Sequence, residues 1–378
     1  MIYCLFLFIR LKHLKTIKLS SKTARVTLSS SRHYLAVAEV SDSVSSLPPR
    51  LMIYSVGNGN VIQRNEVPGA CSSFGRAITP FRFGFFASSP QSAFKWGNPG
   101  PLLTKIIPPV HFSQNLGTPT IPYGETLASN EKGSIVIACS PFSSDNCLII
   151  AENWTKKFKG QPGSSFFGIS VALNPSGTTI ATLSKGSDGF ASIQLYTANG
   201  DLISMFNIPH NPPISLRDKQ PYMHFFDDKH LVVCLYGISK MIKYKNTVNG
   251  WLPENPIEIP GIVVSQYDQS YITLSQDGVF QIHDDNFATK YEDIIRRNIV
   301  GSKFTAIVGG KNWFAALEDS KTHRSLHVYS SISSGLMRGL FVFSISTIGI
   351  LAYIVIRSKI DISRLLARTR STNRAKQV

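Results

Sequence analysis

From Val26 to Ser330 the chain alternates short apolar runs with clusters of Gly, Pro, Ser and Asn, and no run keeps a helical period beyond two turns. Apolar runs of this length between turn residues predict β-strands. The strands come in units of strand, turn, strand, loop and strand. VTLSSSRHYLAVAEV with LMIYSVGNG is the first unit, and ITPFRFGFFASSP is the core of the second. TLASNEKGSIVIACSP with CLIIAEN, SVALNPSGTTIATLS with ASIQLYTANGDLI, and YMHFFDDKHLVVCLYG with KMIKYK follow. SQYDQSYITLSQDG with VFQIHDD and FTAIVGGKNWFAALED with RSLHVYS bring the count to seven.

Units recurring every 40 to 50 residues or so predict a β-propeller, because one such sheet is apolar on both faces and is dry only between neighbours. The expected fold is all-β: a seven-bladed β-propeller over residues 21–334, followed by one C-terminal transmembrane α-helix. Residues 1–20 are read either as a weak signal segment or as a strand that closes the ring. In the second reading HLKTIKL, residues 13–19, pairs with the last blade near His327 to Ser330.

Two stretches forty-four positions apart nearly coincide: PYGETLASNEKGSIVI at 122–137 and FFGISVALNPSGTTIA at 166–181. Tyr123-Gly124 matches Phe167-Gly168, Ala128 matches Ala172, Asn130 matches Asn174, and Gly133 matches Gly177. The aromatic-Gly pair recurs as Phe74-Gly75, with Gly84 nine positions on, and FFASSP at 85–90 ends like VIACSP at 136–141. These residues resemble FG-GAP repeats, the units of the integrin-α-like propeller, in three units of seven. The resemblance implies a non-catalytic protein-binding module of the kind used in cell adhesion. Gly75, Gly124 and Gly168 are read as allowing tight entry into a strand. Gly84, Gly133 and Gly177 are placed at or near hairpin turns, where positive φ is often needed.

Many FG-GAP propellers hold Ca²⁺ in a loop of alternating Asp/Asn and Gly. No segment here has that spacing, and Asp227-Asp228, Asp284-Asp285 and Ser187-Asp188-Gly189 read as ordinary turns. No metal and no cofactor is expected. The four other units also have the look of a WD-repeat propeller, without its Gly-His and Trp-Asp marks.

Residues 339–356, GLFVFSISTIGILAYIVI, are eighteen positions without a charge. At about 1.5 Å per residue a helix of that length spans roughly 27 Å, enough for a bilayer core. A transmembrane helix is expected over 335–357, mostly α-helical from 336, followed by a basic cytosolic tail at 358–378. Seven Lys or Arg follow the span within 22 residues and Arg338 alone stands just before it, so the positive-inside rule puts the tail in the cytosol and the propeller in the lumen or outside. The first residues, MIYCLFLFIRLKHLK, make a poor signal, with eight apolar residues and no cleavage site. The alternative topology is a cytosolic body anchored by its C-terminal helix.

Charge changes this picture little. Of the net +16, six charges lie in the first 25 residues and six in the tail from Arg357, leaving about +3 for the long middle once Arg338 is set aside. A nucleic-acid surface is not expected. In the tail, ISRLLARTRSTNRAK is equally a basic amphipathic helix held at an anionic leaflet and a solvated stop-transfer segment. Cys139 and Cys147 flank a hairpin and are read as two buried free thiols in preference to a bond across it.

The chain carries no HExxH, GxSxG, Walker loop, GxGxxG or Cys/His cluster, so no catalytic residue is assigned and the protein is not expected to be an enzyme. His224 and His230 read as hairpin residues. Asn153-Trp154-Thr155 is the one glycosylation sequon of the body, Asn174-Pro175-Ser176 being blocked by proline. The reading is a single-pass membrane protein binding an unidentified protein through its long connections, 91–121 and 207–220. The competing reading is a cytosol-facing ER-membrane exchange factor for a COPII small GTPase. EVSDSVSSLPPR, residues 39–50, matches the loop of that family in length but lacks its glycines.

Overall fold

The computed structural model describes residues 11–20, 25–30, 34–40, 50–56, 61–66, 77–81, 84–88, 93–96, 104–106, 126–141, 145–151, 153–186, 188–208, 222–235, 240–258, 263–267, 270–284, 288–295, 297, 300–310, 313–320, 322–331 and 357. The chain divides into two compact units, residues 13–330 and residues 1–12 with 331–378. Of the second unit the description covers Leu11, Lys12, Ser331 and Arg357, the last helical and exposed. The expected span at 339–356 and the basic tail lie outside the described residues. No helix among the described residues is long and apolar enough to cross a membrane.

The larger unit is a β-propeller. Its first strand, β1 (Leu11–Leu19), belongs to the last sheet. The first sheet is β2 (Arg25–Ser30), β3 (Tyr34–Val40), β4 (Arg50–Ser55) and β5 (Val61–Glu66), in that order. The second is β6 (Ile78–Phe81), β7 (Gly84–Ser88), β8 (Ala93–Trp96) and β9 (Thr104–Ile106), and the third β10 (Thr126–Ser129), β11 (Ile135–Ser140), β12 (Asn146–Ala151) and β13 (Thr155–Lys159). The fourth is β14 (Ser165–Leu173), β15 (Thr179–Lys185), β16 (Ala191–Thr197) and β17 (Leu202–Asn207). In the fifth, β18 (Tyr222–Phe225), β19 (His230–Leu235), β20 (Lys240–Thr247) and β21 (Gly250–Pro253) are joined by the short β22 (Ile257–Glu258), which also pairs with β20. The sixth is β23 (Val263–Tyr267), β24 (Ser270–Leu274), β25 (Val279–His283) and β26 (Thr289–Ile294). The last sheet runs β1, β29 (Arg324–Ser331), β28 (Trp313–Asp319) and β27 (Lys303–Gly310), so β1 lies against β29.

The apolar cores lie between sheets. Leu51, Ile53, Phe85 and Ala87 join the first sheet to the second, and Phe81 and Val136 join the second to the third. Ile149, Phe158, Phe167 and Tyr196 continue the series, then Leu195, Phe225 and Tyr244, then Cys234 and Tyr271. Phe280 and Phe314, 5.6 Å apart between ring centres, connect the sixth sheet to the last. Ile17, Leu35, Tyr54, Trp313 and Val328 bring the last back to the first.

This arrangement explains which strands the hydrophobic pattern reveals. Central strands face a neighbour on both sides, so β11 and β16 are buried almost throughout. Fourth strands form the rim. In β13, TKKFK, only Phe158 is buried, and β17 alternates between exposed and half-buried positions. The segment 91–121, read from the sequence as an insertion, supplies β8 and β9, whose short runs among prolines gave no strand signal.

Candidate interaction surface

The repeated sequence builds a repeated turn. The Asn174 side-chain oxygen accepts from the N–H groups of Thr178 and Thr179, both at 2.8 Å, while Gly177 N–H donates to the Asn174 carbonyl. Asn130 does the same toward Ser134 and Ile135, at 2.8 and 3.1 Å, with Gly133 donating to its carbonyl. The carboxamide thus pins a tight hairpin whose glycine takes positive φ, +61° at Gly133 and +77° at Gly177. Asp227 caps the N–H groups of Lys229 and His230, and Ser275 Oγ accepts from Val279 N–H. The fifth sheet therefore uses the device at the same hairpin with an aspartate, and the sixth uses a serine at its next hairpin, β24 to β25, at the opposite end of the sheet; an Asn-to-Gly spacing detects neither.

These turns also touch from sheet to sheet. A Cβ at Gly177 would stand 3.0 Å from Asn130 Nδ2, and Ser176 N–H donates to Asp228 Oδ1 at 3.0 Å. One end of the third, fourth and fifth sheets is thereby tied together. Asn174 is buried, so Asn174→Ala leaves two N–H groups without their acceptor. A loss of about 1 to 2 kcal/mol is expected, measurable by urea unfolding.

The Phe-Gly pair has a separate use. Gly168 lies in β14 at φ +82°, inside the register shift between Ser165 and Ser170. A Cβ there would meet Cys139 Cβ at 2.5 Å and the Sγ atoms of Cys139 and Cys147 at 2.7 Å. Cys139 and Cys147 stand directly opposite each other on β11 and β12, Cα atoms 4.1 Å apart, and are joined as a disulfide. The expectation of two free thiols is corrected: the register puts both side chains on one face at the short spacing of an antiparallel pair. The preceding Phe167 N–H donates to Asp145 Oδ1, and the Phe167 ring is buried edge-on against Phe158. Gly84 opens β7 opposite Phe81, across a two-residue turn. Phe74, Gly75 and Gly124 lie outside the described residues.

Closure of the ring carries a polar chain that starts buried at Ser302, Glu318 and His327 and ends at the exposed His13. The Ser302 hydroxyl donates to Glu318 Oε1, and His327 Nε2 lies 2.8 Å from Glu318 Oε2. His327 Nδ1 is 3.2 Å from Thr16 Oγ1 on β1, which is 3.0 Å from His13 Nε2. Ser20 N–H then donates to Glu39 of the first sheet at 2.6 Å. Thr16 of β1 and the following Ser20 are thus bonded to the last and first sheets respectively. Burial, then the Glu318 carboxylate, pushes the Tyr329 hydroxyl beside His13 up to about 12, so it stays neutral.

Burial, and then the neighbouring His327, hold His13 below the ordinary histidine value of 6.5. Its folded value being depressed, the unfolded chain takes the proton first, so its contribution is complete above 6.5 and is lost as pH falls through the folded value. The melting temperature is expected to fall more between pH 7.5 and pH 5.5 in the native protein than in His13→Gln, as scanning calorimetry would show.

The two histidines read as hairpin residues lie on paired strands, His224 opposite Val232. His224 lies in β18, and His230 opens β19 with Nδ1 at 2.8 Å from Asp227 Oδ2. Burial of Asp227 opposes its ionisation, but the hydrogen bonds from His230 and the local N–H groups outweigh this and hold its carboxyl below the usual range. No cluster of three or more metal-ligating side chains occurs among the described residues.

The two ends of the sheets differ. At the end of the Asn130, Asn174 and Asp227 turns, the hairpin between β12 and β13 exposes Asn153 and Trp154, and that between β20 and β21 exposes Val248. At the other end, Phe190 stands 44% exposed on the turn between β15 and β16, where Gly186 N–H donates to the Phe190 carbonyl. The chain leaves the fourth sheet at that end after Ile208 and re-enters the fifth at Tyr222; it leaves the second after Ile106 and re-enters the third at Thr126.

The fold is similar to that of solved propeller-containing chains. Chaetomium thermophilum Raptor matches over 85% of this chain with a TM-score of 0.58 at 9% identity, and this chain spans 29% of that one. The Myceliophteria thermophila Cps50 (Swd1) beta-propeller domain matches over 84% of this chain and 100% of its own, with a TM-score of 0.57 at 8% identity. At such identities the likeness concerns the fold alone. No protein-family model and no curated protein sequence matches the chain.

Proposed function

We propose that the protein is a non-catalytic scaffold, a ring of seven blades that binds a protein partner at one end and is held to a membrane by residues 339–356. The observation that carries the reading is the asymmetry of the ring. At one end the third, fourth and fifth sheets are tied turn to turn through Asn130, Ser176 and Asp228, while the other bears the long connections 107–125 and 209–221 and the exposed Phe190. Connections that long on a rigid ring add ordering cost without adding core, which favours their use in recognition. The Phe-Gly and Asn-to-Gly spacings support an FG-GAP-like, adhesion-type kinship for the third and fourth blades.

The propeller faces the lumen or the exterior in this reading. The basic count beyond the span supports that orientation, and so does the Cys139–Cys147 bond, since protein disulfides persist in oxidising compartments and are rare in the cytosol. A photo-crosslinking residue at position 190, in the full chain in native membranes, is expected to give one discrete protein adduct. The same residue at position 248, on the opposite end, is expected to give none. Equal labelling from both positions, or none from position 190, contradicts the assignment of the binding end.

A further inference from the structure

We propose that Asn153 carries an N-linked glycan, placed on the end of the ring opposite the partner; the inference rests on the lumenal orientation argued above. The chain holds two Asn-x-Ser/Thr sequences with opposite fates. Asn174 is buried, with its oxygen accepting from Thr178 and Thr179 N–H and its nitrogen donating to the Ser176 and Thr178 hydroxyls, and proline follows it. Its carboxamide is fully used. Asn153 is exposed in the bend that joins β12 to β13, where Ala151 N–H donates to the Trp154 carbonyl at 3.0 Å. The bend turns Asn153 outward and starts β13 at Thr155, the hydroxyl residue that the sequon requires.

The second observation is independent of the motif. β12, the strand that leads into this bend, carries Cys147, bonded to Cys139 beneath Gly168. Oxidation of the two thiols releases two protons and passes two electrons to a disulfide-bearing oxidant, chemistry of the compartment in which sequons are glycosylated. In the glycosylation step the Asn153 side-chain nitrogen forms a bond to the anomeric carbon of a polyisoprenoid-diphosphate oligosaccharide. The carbon–oxygen bond to the diphosphate breaks, the diphosphate leaves with the electron pair, and the amide gives up one proton. The product stands beside β13, whose outer edge displays Lys156 and Lys159, and shields a rim strand that has no neighbour in its sheet order.

The test uses the full chain expressed in eukaryotic cells. Its electrophoretic mobility is read before and after digestion with a peptide N-glycosidase, beside Asn153→Gln, Thr155→Val and Thr155→Ser. In parallel, a maleimide is applied to the denatured, unreduced protein, with Cys139→Ser/Cys147→Ser as reference. The expected result is a shift abolished by the enzyme, by Asn153→Gln and by Thr155→Val, and kept in Thr155→Ser, with Cys139 and Cys147 unlabelled. No shift with the two cysteines unlabelled overturns the glycan and leaves the lumenal reading standing. No shift with both labelled overturns the glycan and the orientation together.

Discussion

Replacing Glu318 with alanine is expected to lower stability by about 3 to 5 kcal/mol, the largest effect of any single substitution considered for this ring. Glu318 and His327 are buried almost completely, and the carboxylate receives Ser302 at one oxygen and His327 at the other. Removing it takes the carboxylate partner from a buried hydroxyl and a buried imidazole, the latter also bonded to Thr16 on the closing strand. Glu318→Gln keeps the volume and one acceptor, so it is expected to recover part of the loss. Equilibrium unfolding in guanidinium, with hydrogen exchange of β1 and β29, measures both quantities. If the chain is the closure, both strands lose protection before the central sheets do.

The second large effect is expected at Gly168. Alanine there puts a methyl group within 2.7 Å of both cysteine sulfurs and asks an L-residue to hold φ +82°. Overpacking and backbone strain add, so a loss of at least about 2 kcal/mol is expected. Gly301→Ala separates the two causes. It has a similar φ, +80°, with nothing within 4 Å of the added carbon, and is expected to cost about 1 kcal/mol from strain alone. Melting temperatures of the two variants, side by side, give the comparison. Equal losses would mean that crowding against Cys139 and Cys147 contributes nothing.

Much of this architecture is legible in the sequence because a propeller blade repeats one physical problem. A central strand buried on both faces reads as a nearly continuous apolar run where its buried residues are apolar, as in IVIACS, while in ASIQLYT the buried Ser192 and Gln194 interrupt the run. The rim strands give no such run: in TKYEDI the described side chains are exposed or half-buried, and the segment carries no period that separates it from a loop. The turn was legible where asparagine and glycine coincide at Asn130 and Asn174. At Asp227-Asp228 the turn was read as a turn but without its repeated cap, and at Ser275 a hydroxyl caps a different hairpin without an Asn-to-Gly mark. Cys139 and Cys147 are eight residues apart, and only the register of β11 against β12 places them face to face. The chain from Ser302 to His13 joins residues 289 positions apart and has no sequence signature at all.

The proposed lumenal or exterior placement of the propeller is the central claim, and protease protection tests it most directly. A juxtamembrane basic residue contributes about 1 kcal/mol near an anionic leaflet, and seven of them follow residue 356. Protease added to intact vesicles is expected to remove an epitope placed after Val378 while residues 13–330 remain whole until detergent is added. Digestion of the propeller with survival of the C-terminal epitope would contradict the lumenal scaffold and leave the cytosol-facing exchange-factor reading in its place.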